Sequence, residues 1–269
     1  MPDQRLQVVT LAHNHLLDMG PAAVLETTAQ LRRAGIMAIG VDDKRYGDAV
    51  AMFTRKNISV AVLSFCALDA CARARQAHGF GAKQYSKEFA RSMVTGIRPG
   101  VDVIVVAIHW GAEYYLGVDG HRREQAHFLA SIGVDVVLGH HPHVLQDHMI
   151  IGNTFVAFSL GNFVFDSHVC RDEAGEMTEA SIAASPACRA MHPRRRNPVA
   201  AATRTTRIYR LGLSKRGFES ASYLPCDIAT ELHFSGKPIY RPKPNLNPGT
   251  WVVACSGEDV HCADCVPGE

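Results

Sequence analysis

Two apolar, largely β-branched runs constrain the fold of this chain more than any other feature. They are residues 101–108 and 134–138, and the segment between them, about 122–132, is long enough for one helix. Such runs are typical of inner strands that are covered on both faces of a parallel sheet. A strand, a crossover helix and a second strand form a right-handed unit in which both strands end at the same edge. The residues that follow the two runs, His109 and the segment 139–143, are therefore expected to lie together.

Shorter patterns place further elements on either side of this unit. Pro21 opens a predicted helix, and residues 152–153, Gly-Asn, are a two-residue hairpin signal. The predicted strands are residues 6–11, 37–40, 49–53, 58–65, 149–151, 154–159, 206–213 and 218–224, and the predicted helices are 21–34, 86–97 and about 122–132. This alternation predicts an α/β fold with helices outside two packed sheets, and a site at the strand ends after Leu11, Ile108 and Leu138.

Composition narrows the class of protein. At 269 residues the chain can bury a full-sized core, and one large domain is expected. A formal charge of +2 gives no electrostatic case for a nucleic-acid partner. No window reaches the roughly eighteen apolar residues of a membrane span, so the chain as written is expected in the cytoplasm. A disulfide framework is not expected in a domain this large, and Cys66 is expected to pack as a reduced thiol.

The second half of the chain is predicted to be less regular. The domain is expected to span residues 1–228, with a mobile insertion at about 170–203 and a C-terminal tail over 229–269. Four prolines within 237–249 favour an extended, unpaired segment. The tail also holds a zinc candidate, for which the alternative is a frayed terminus, formed by Cys255, His261, Cys262 and Cys265.

Histidines dominate the predicted site, since seven of the fourteen fall between residues 109 and 148. His141 and His143 share a face if the chain is extended there, or splay towards two ions if it turns tightly. Asn14 offers a ligating amide oxygen, and His15 can donate a proton. The bland alternatives are a turn cap for Asn14, structural histidines for His121 and His127, and an orienting role for His140. The convergence of three strand ends favours a metal site.

Four ordered motifs then make the sequence recognisable. The segments LAHNHLLDMG (11–20), IHWGAEY (108–114), GHHPHVLQ (139–146) and SLGNFVFD (159–166) closely resemble the bacterial capsule synthesis family of CapA type. That family is associated with poly-γ-glutamate capsules and has a metallophosphoesterase-like fold. The resemblance runs from about Leu6 to Asp166, and the hairpin that ends at Ile228 looks like the closing strands of the family.

The resemblance implies a role for each motif residue. Asn14 and His15 match a pair that binds metal and substrate, and His109, His141 and His143 match metal-binding histidines. Glu113, His140 and Asn162 are implied as substrate-contacting or orienting residues. The family implies two divalent ions, Mn, Zn or Fe, with His15 protonating the leaving group of a phosphoester or amide. The implied partners are an anionic polymer or a phosphorylated small molecule, and capsule-assembly proteins.

One departure from the family lies at the front of the chain. Members usually open with an aspartate-bearing strand that supplies further ligands, and this chain begins after it. The expected fold is therefore a metallophosphoesterase-like α/β/β/α sandwich lacking the first strand or strands, holding one ion and exposing an apolar edge at residues 6–11. The alternative function is a non-catalytic scaffold for polymer assembly. A missing N-terminal anchor would make the protein membrane-associated or exported.

Overall fold

A computed structural model of the chain describes residues 6–43, 50–164, 202–232, 238–244 and 252–256. The helices are α1 (Gly20–Arg33), α2 (Asp69–His78), α3 (Lys87–Ile97) and α4 (Gly120–Ser131). The strands are β1 (Val8–Thr10), β2 (Met37–Ile39), β3 (Val50–Arg55), β4 (Ile58–Cys66), β5 (Val103–His109), β6 (Val136–His140), β7 (His148–Ile151), β8 (Thr154–Ala157), β9 (Thr205–Ser214), β10 (Gly217–Leu232), β11 (Pro238–Pro244) and β12 (Val252–Ser256). Within the described ranges, none of the helices combines the length and the apolarity needed to cross a bilayer.

The centre of the fold is a six-stranded sheet in the order β3-β4-β5-β6-β8-β7. Its four inner strands are parallel, and β3 and β7 run antiparallel at the two edges. The predicted inner strands are confirmed, because β5 and β6 pair as neighbours in this sheet. The register places His109 beside His140 on one side and beside Cys66 on the other. The carboxyl ends of three strands thus lie in one row.

The two faces of this sheet are covered by different layers. Side chains of alternate residues, such as Ile104 and Val106, pack under Val94 of α3 and Leu129 of α4. The intervening residues of β5 pack on the opposite face against strands β9 and β10 of a second, four-stranded sheet. The helix, sheet and sheet layers confirm the predicted α/β class. Alternation of this kind follows from the pleat of a strand, which sends successive side chains to opposite faces.

Helix boundaries follow from local chemistry. The side chain of Ser86 accepts a hydrogen bond from the backbone N–H of Phe89 at the start of α3, and the Asp119 carboxylate accepts one from that of Arg122 at the start of α4. Such caps satisfy backbone donors that the first turn leaves unpaired. Helix α2, in a region where the sequence shows no periodic pattern, is ended by Gly79 with φ of 73°. Its few buried side chains explain why no apolar period marks it in the sequence.

The first strand lies apart from the central sheet. β1 pairs in parallel with β2, and within the described chain this is its single strand partner. Side chains connect β1 to β4 of the central sheet, since the Thr10 and Ser64 hydroxyls are hydrogen-bonded to each other. The segment carrying Lys83 continues the connection, because its backbone bonds both Gly40 and Cys66. This arrangement brings the end of β1 next to the ends of β4 and β5.

The expectation that Cys66 is a reduced thiol is wrong. Cys66 forms a disulfide with Cys71, five residues further on. Both cysteines are buried and pack with Ala12, which immediately precedes the loop that carries Asn14. The apolar run in the sequence explains the burial of Cys66 correctly. It does not reveal the pairing, because α2 folds the chain back over the end of β4.

The prediction of an unpaired, proline-rich segment over 237–249 is also wrong where the structure describes it. β11 pairs antiparallel with β10 over its whole length, and β12 pairs with β10 further along. Since β10 crosses residue 228, the predicted domain boundary falls inside a strand. Prolines are compatible with edge strands such as β11, whose outer side needs no N–H donor. The predicted insertion at 170–203 lies almost wholly outside the described residues, as do His261, Cys262 and Cys265 of the zinc candidate.

A close contact between main chain and indole locks the ends of the central strands. The indole Nε1–H of Trp110 donates to the carbonyl of Phe158 at 2.8 Å, and both side chains are buried. Gly139 lies against this bond, so that a Cβ there would overlap the Phe158 carbonyl and come within 2.5 Å of the Trp110 Nε1 atom. The absence of a side chain at residue 139 is therefore a packing requirement at the edge where the histidines begin.

We expect Gly139→Ala to lower the free energy of unfolding by about 1–3 kcal/mol, because the methyl group forces backbone and indole apart. Gly96→Ala is the matched control, since a Cβ at Gly96 in α3 meets no heavy atom within 4 Å. That control should be neutral or stabilising by up to about 1 kcal/mol. Urea unfolding followed by circular dichroism measures both. Equal stability of the two variants would contradict the packing requirement.

Candidate metal centre

Residues 140–143, the histidine loop, follow β6 in an unusual backbone conformation. His141 has φ of 109° and His143 has φ of 61°, values that residues with a side chain rarely adopt. Backbone strain of this kind is retained where surrounding contacts impose it. Here the carbonyl of His140 accepts from Trp110 N at 3.0 Å, and the carbonyl of Val144 accepts from the Ser159 hydroxyl at 2.7 Å. The loop is thereby turned so that its imidazoles splay.

One group of donors consists of Glu113, His141 and His143, called here the glutamate subsite. One ligand atom from each residue lies within 4.8 Å of the others. The Glu113 loop is attached to the histidine loop, because Tyr114 N donates to the carbonyl of Pro142 at 2.8 Å. The buried Gln146 amide adds two bonds, to the carbonyls of Tyr115 and Gly117 at 2.8 and 2.6 Å. A carboxylate and two imidazoles converge at this point.

A second pair of donors, called the asparagine subsite, lies beside the first. The Asn14 Oδ1 atom is 2.8 Å from His109 Nε2. The ring centroid of His109 is 4.6 Å from that of His141, which in turn is 6.1 Å from that of His143. His141 therefore stands between the two subsites. The three strand ends predicted to converge, after β1, β5 and β6, do meet here.

A chain of hydrogen bonds, called here the relay, runs from the exposed His15 to the half-buried Asn14 and on to the buried His109. The exposed His15 donates from Nδ1 to the Asp18 carboxylate at 2.7 Å. Its Nε2 then accepts from the Asn14 amide nitrogen at 3.2 Å, and the Asn14 oxygen accepts from His109 Nε2. Donor and acceptor roles alternate without conflict along this relay. The relay turns the amide oxygen of Asn14 towards His109.

Two further predicted residues hold the cluster in place. Asn162 accepts from His143 Nδ1 at 2.8 Å and donates to the carbonyl of Thr203 at 3.0 Å. It thereby joins the histidine loop to the start of the second sheet and orients His143. The ring of His140 lies 4.8 Å from that of His109 in an edge-on arrangement, deep in the cluster. Both residues contact proposed ligands, which is the placement expected of orienting groups.

Burial keeps the imidazoles neutral. Desolvation, followed by the neighbouring His140, holds the pKa of His109 far below its usual range. Burial also lowers the pKa of His140 to about 4, and burial with the nearby His143 lowers that of His141 to about 4. The pKa of His13 is lowered in the same way, by burial and by His15. Neutral imidazoles are the form that binds metal ions.

The donor set fits divalent metal ions. His109 Nδ1, His140 Nε2 and His141 Nδ1 are enclosed and have no hydrogen-bond partner in the described parts of the chain. Enclosed polar atoms without partners are rare in folded proteins and need an explanation. Imidazole, amide and carboxylate donors together suit Mn, Zn or Fe. The buried atoms thus agree with a site whose donors are completed by metal ions.

The structure brings together all of the residues singled out from the sequence, namely Asn14, His15, His109, Glu113, His140, His141, His143 and Asn162. His121 and His127, predicted to be structural, lie on α4. Two contributions were missed: the carboxylate of Glu113 as a donor, and Asp18 as the partner of His15. The spacing of Asp18, three residues after His15 within a turn, is a signal that could have identified it. The anchoring role of Gln146 depends on tertiary contacts alone.

Comparison with known proteins identifies similar sequences. A family model described as "Bacterial capsule synthesis protein PGA_cap" matches residues 1–167. The chain is 27% identical over 171 residues to the PGA biosynthesis protein CapA of Bacillus subtilis (strain 168), covering 62% of this chain and 44% of that protein. It is 29% identical over 175 residues to a probable polyglutamine synthesis accessory protein of Mycobacterium tuberculosis (strain ATCC 25618 / H37Rv), covering 60% and 46%. The chain spans less than half the length of these curated relatives.

Solved structures with some similarity are nucleotidases among others. A 5′-nucleotidase precursor from Thermus thermophilus aligns with a TM-score of 0.48 at 14% identity, over 81% of this chain and 38% of that chain. The NAD nucleotidase of Haemophilus influenzae aligns with a TM-score of 0.45 at 14% identity, over 86% and 42%.

We expect the metal-free protein to lose stability between about pH 6.5 and pH 4. The pKa of His140 and of His141 is about 4 in the folded chain, against about 6.5 when unfolded. Between about pH 6.5 and pH 4 each imidazole is protonated in the unfolded chain but stays neutral in the folded chain. Each group therefore contributes to stability above pH 6.5, and that contribution is lost as the pH falls. Lowering the pH from 7 to 4.5 should remove on the order of 2 kcal/mol per group.

Thermal melts in the presence of a chelator measure this effect. His140→Gln should reduce the difference in Tm between pH 7 and pH 4.5, whereas His127→Gln, at an exposed position on α4, should leave the difference as in the wild type. A His140→Gln variant with the full wild-type pH dependence would show that His140 is not held neutral by burial.

Proposed function

Since the chain belongs to the bacterial capsule synthesis family described as PGA_cap, we propose that it is a metal-dependent hydrolase of phosphoester or amide bonds that acts in capsule polymer synthesis. The observation that carries this proposal is the adjacency of the two subsites, with His141 4.6 Å from His109 between ring centroids and within 4.8 Å of Glu113 and His143 between ligand atoms. Imidazole and carboxylate donors gathered in this way suit the binding of cations.

The metal ions would be held by the two subsites. Glu113, His141 and His143 would hold one divalent ion, and Asn14 with His109 would contribute to a second. When bound, such an ion supplies positive charge that stabilises the oxyanion developing on the substrate. The protein side chains contribute fixed geometry, since Asn162 and the relay through His15 orient their neighbours before substrate arrives.

His15 is the proposed proton donor to the leaving group. Its imidazole is exposed beside Asn14, so that a substrate bound at the subsites can reach it. Asp18 accepts from Nδ1, which directs Nε2 towards the site. Positioned acids of this kind contribute roughly 100- to 10,000-fold in rate.

The substrate class is proposed from the relatives and from the charge of the site. The names of the similar proteins from Bacillus subtilis and Mycobacterium tuberculosis refer to PGA biosynthesis and polyglutamine synthesis. An anionic capsule polymer or a phosphorylated small molecule would meet the metal ions proposed for this site and its neutral imidazoles, with Glu113 and Asp18 as the acidic members. Capsule-assembly proteins are the proposed partners.

Metal analysis and hydrolysis of a generic phosphodiester and of poly-γ-glutamate, with added Mn, test the hydrolase proposal. We expect Glu113→Gln and His143→Ala to lower both metal content and turnover, because each removes a donor. We expect His15→Ala to keep the metal and lower kcat by about 100-fold or more, and Asp18→Asn to lower kcat less. His127→Ala, on the exposed face of α4, is the control.

Two outcomes would contradict the proposal. Turnover that survives both His15→Ala and His143→Ala would place the chemistry elsewhere. A chain that binds metal but hydrolyses neither substrate would favour the alternative, a non-catalytic scaffold for polymer assembly. In that role, half of a metal site could still bind an anionic polymer.

The buried Cys66–Cys71 disulfide supports a proposal about the compartment. Disulfides form and persist in oxidising environments and are rare in the cytosol of mesophiles. We therefore propose that the protein functions outside the cytoplasm. The disulfide ties the end of β4, which pairs with His109, to α2, so that its formation also stabilises the surroundings of the site.

Thiol alkylation of the protein in fresh cells, followed by peptide mass spectrometry, tests the compartment. Cys66 and Cys71 should be found linked to each other and unalkylated in the exported fraction, and a Cys66→Ala/Cys71→Ala variant should unfold about 2 kcal/mol more easily. Cys226, which is buried and free among the described cysteines, is the internal control for alkylation under denaturing conditions. The proposal would be refuted if Cys66 and Cys71 were fully alkylated in protein from the cytosol and the double alanine variant were as stable as the wild type.

A further inference from the structure

We infer that Arg122 is the residue that recognises the anionic group of the substrate at this site. The inference rests on the proposed function for the location of the site and extends it to the selection of substrate. None of the motifs recognised in the sequence includes Arg122. It lies in the first turn of α4, which begins between the Glu113 loop and the histidine loop in the chain.

The position of Arg122 is defined by contacts with both parts of the site. Its Nε atom lies 3.8 Å from the point where a Cβ of Gly111 would stand, and Pro142 of the histidine loop lies 3.3 Å from that same point. Gly111 has φ of 91°, a backbone conformation that residues with a side chain rarely adopt. Arg122 therefore lies where the chain leaving His109 meets the histidine loop.

The carboxylate of Asp119 holds the Arg122 guanidinium in place. Asp119 accepts from Arg122 Nη1 at 3.3 Å and from its backbone N–H at 3.0 Å. The same carboxylate thus caps α4 and fixes the side chain, of which 22% remains exposed. A positive charge placed by a helix cap is preorganised, so little conformational freedom is lost when a ligand binds.

One donor of this guanidinium lacks an acceptor. The Nε–H group is enclosed and has no hydrogen-bond partner among the residues that the structure describes. A guanidinium stays charged at every accessible pH, and a buried donor without an acceptor is unfavourable. An oxyanion bound beside His141 would satisfy both the charge and the donor.

Two substrate groups share the required chemistry. A phosphoryl group and a carboxylate each present two oxygens that match the planar donors of arginine. Lysine would keep the charge but lose this paired geometry. Phosphate and short poly-γ-glutamate are therefore the two probes that distinguish a phosphorylated substrate from a polycarboxylate.

Isothermal titration calorimetry of the full chain, loaded with Mn, measures the binding of inorganic phosphate and of a short poly-γ-glutamate. We expect Arg122→Gln to raise the Kd of the recognised anion by about 10-fold or more, and Arg122→Lys to raise it less. Metal content and Tm should stay at wild-type values in both variants, since Arg122 ligates no metal. The probe that loses affinity identifies the substrate group.

Arg91→Gln is the matched control, because Arg91 is exposed on α3 with its guanidinium over the Phe128 ring. It removes the same charge without touching the site and should leave both Kd values unchanged. Wild-type affinity in Arg122→Gln, an equal loss in Arg91→Gln, or a wild-type chain that binds neither probe would overturn the assignment. Anion binding that depends on Arg122 in a chain without hydrolysis would sustain it while refuting the hydrolase proposal.

Discussion

Parallel pairing of β5 with β6 is the interaction on which the rest of this structure depends. Its register sets His109 beside His140, and the Trp110 indole, bonded to the Phe158 carbonyl over Gly139, closes the strand ends. A shift by one residue would turn His109 to the other face of the sheet. The Glu113 and histidine loops, which begin at these two strand ends, inherit their relative position from this pairing.

The site gathers polar atoms that a stable core would normally avoid. Desolvation keeps His109, His140 and His141 uncharged, and three of their ring nitrogens find no partner within the described structure. Groups of this kind destabilise a protein unless a ligand completes them. The stability that is given up here is consistent with a binding site, because the same imidazoles are left free to bind metal ions.

The parts of the fold that sequence patterns missed share one physical cause. The Cys66–Cys71 disulfide, the pairing of β11 with β10 and the bond between His15 and Asp18 all depend on where the chain folds back. Apolar periodicity reports which side chains are buried, but it is silent on what they meet. Prolines within 237–249 predicted an extended backbone, which is confirmed for Pro238–Pro244, and only the long β10 supplied the partner that made this segment a strand.

The sequence by itself determined the α/β class, the inner strands and the row of residues Asn14, His109, His141 and His143 at their ends. The apolar periodicity and the β-branched runs suffice for this, since parallel strands joined by a crossover helix end at the same edge of the sheet. Only the tertiary structure decided that Glu113 joins His141 and His143, that Asp18 supports His15, and that Arg122 lies beside Gly111. These contacts join loops whose paths are set by hydrogen bonds such as those of Gln146 and Asn162, and no local pattern encodes the course of a loop.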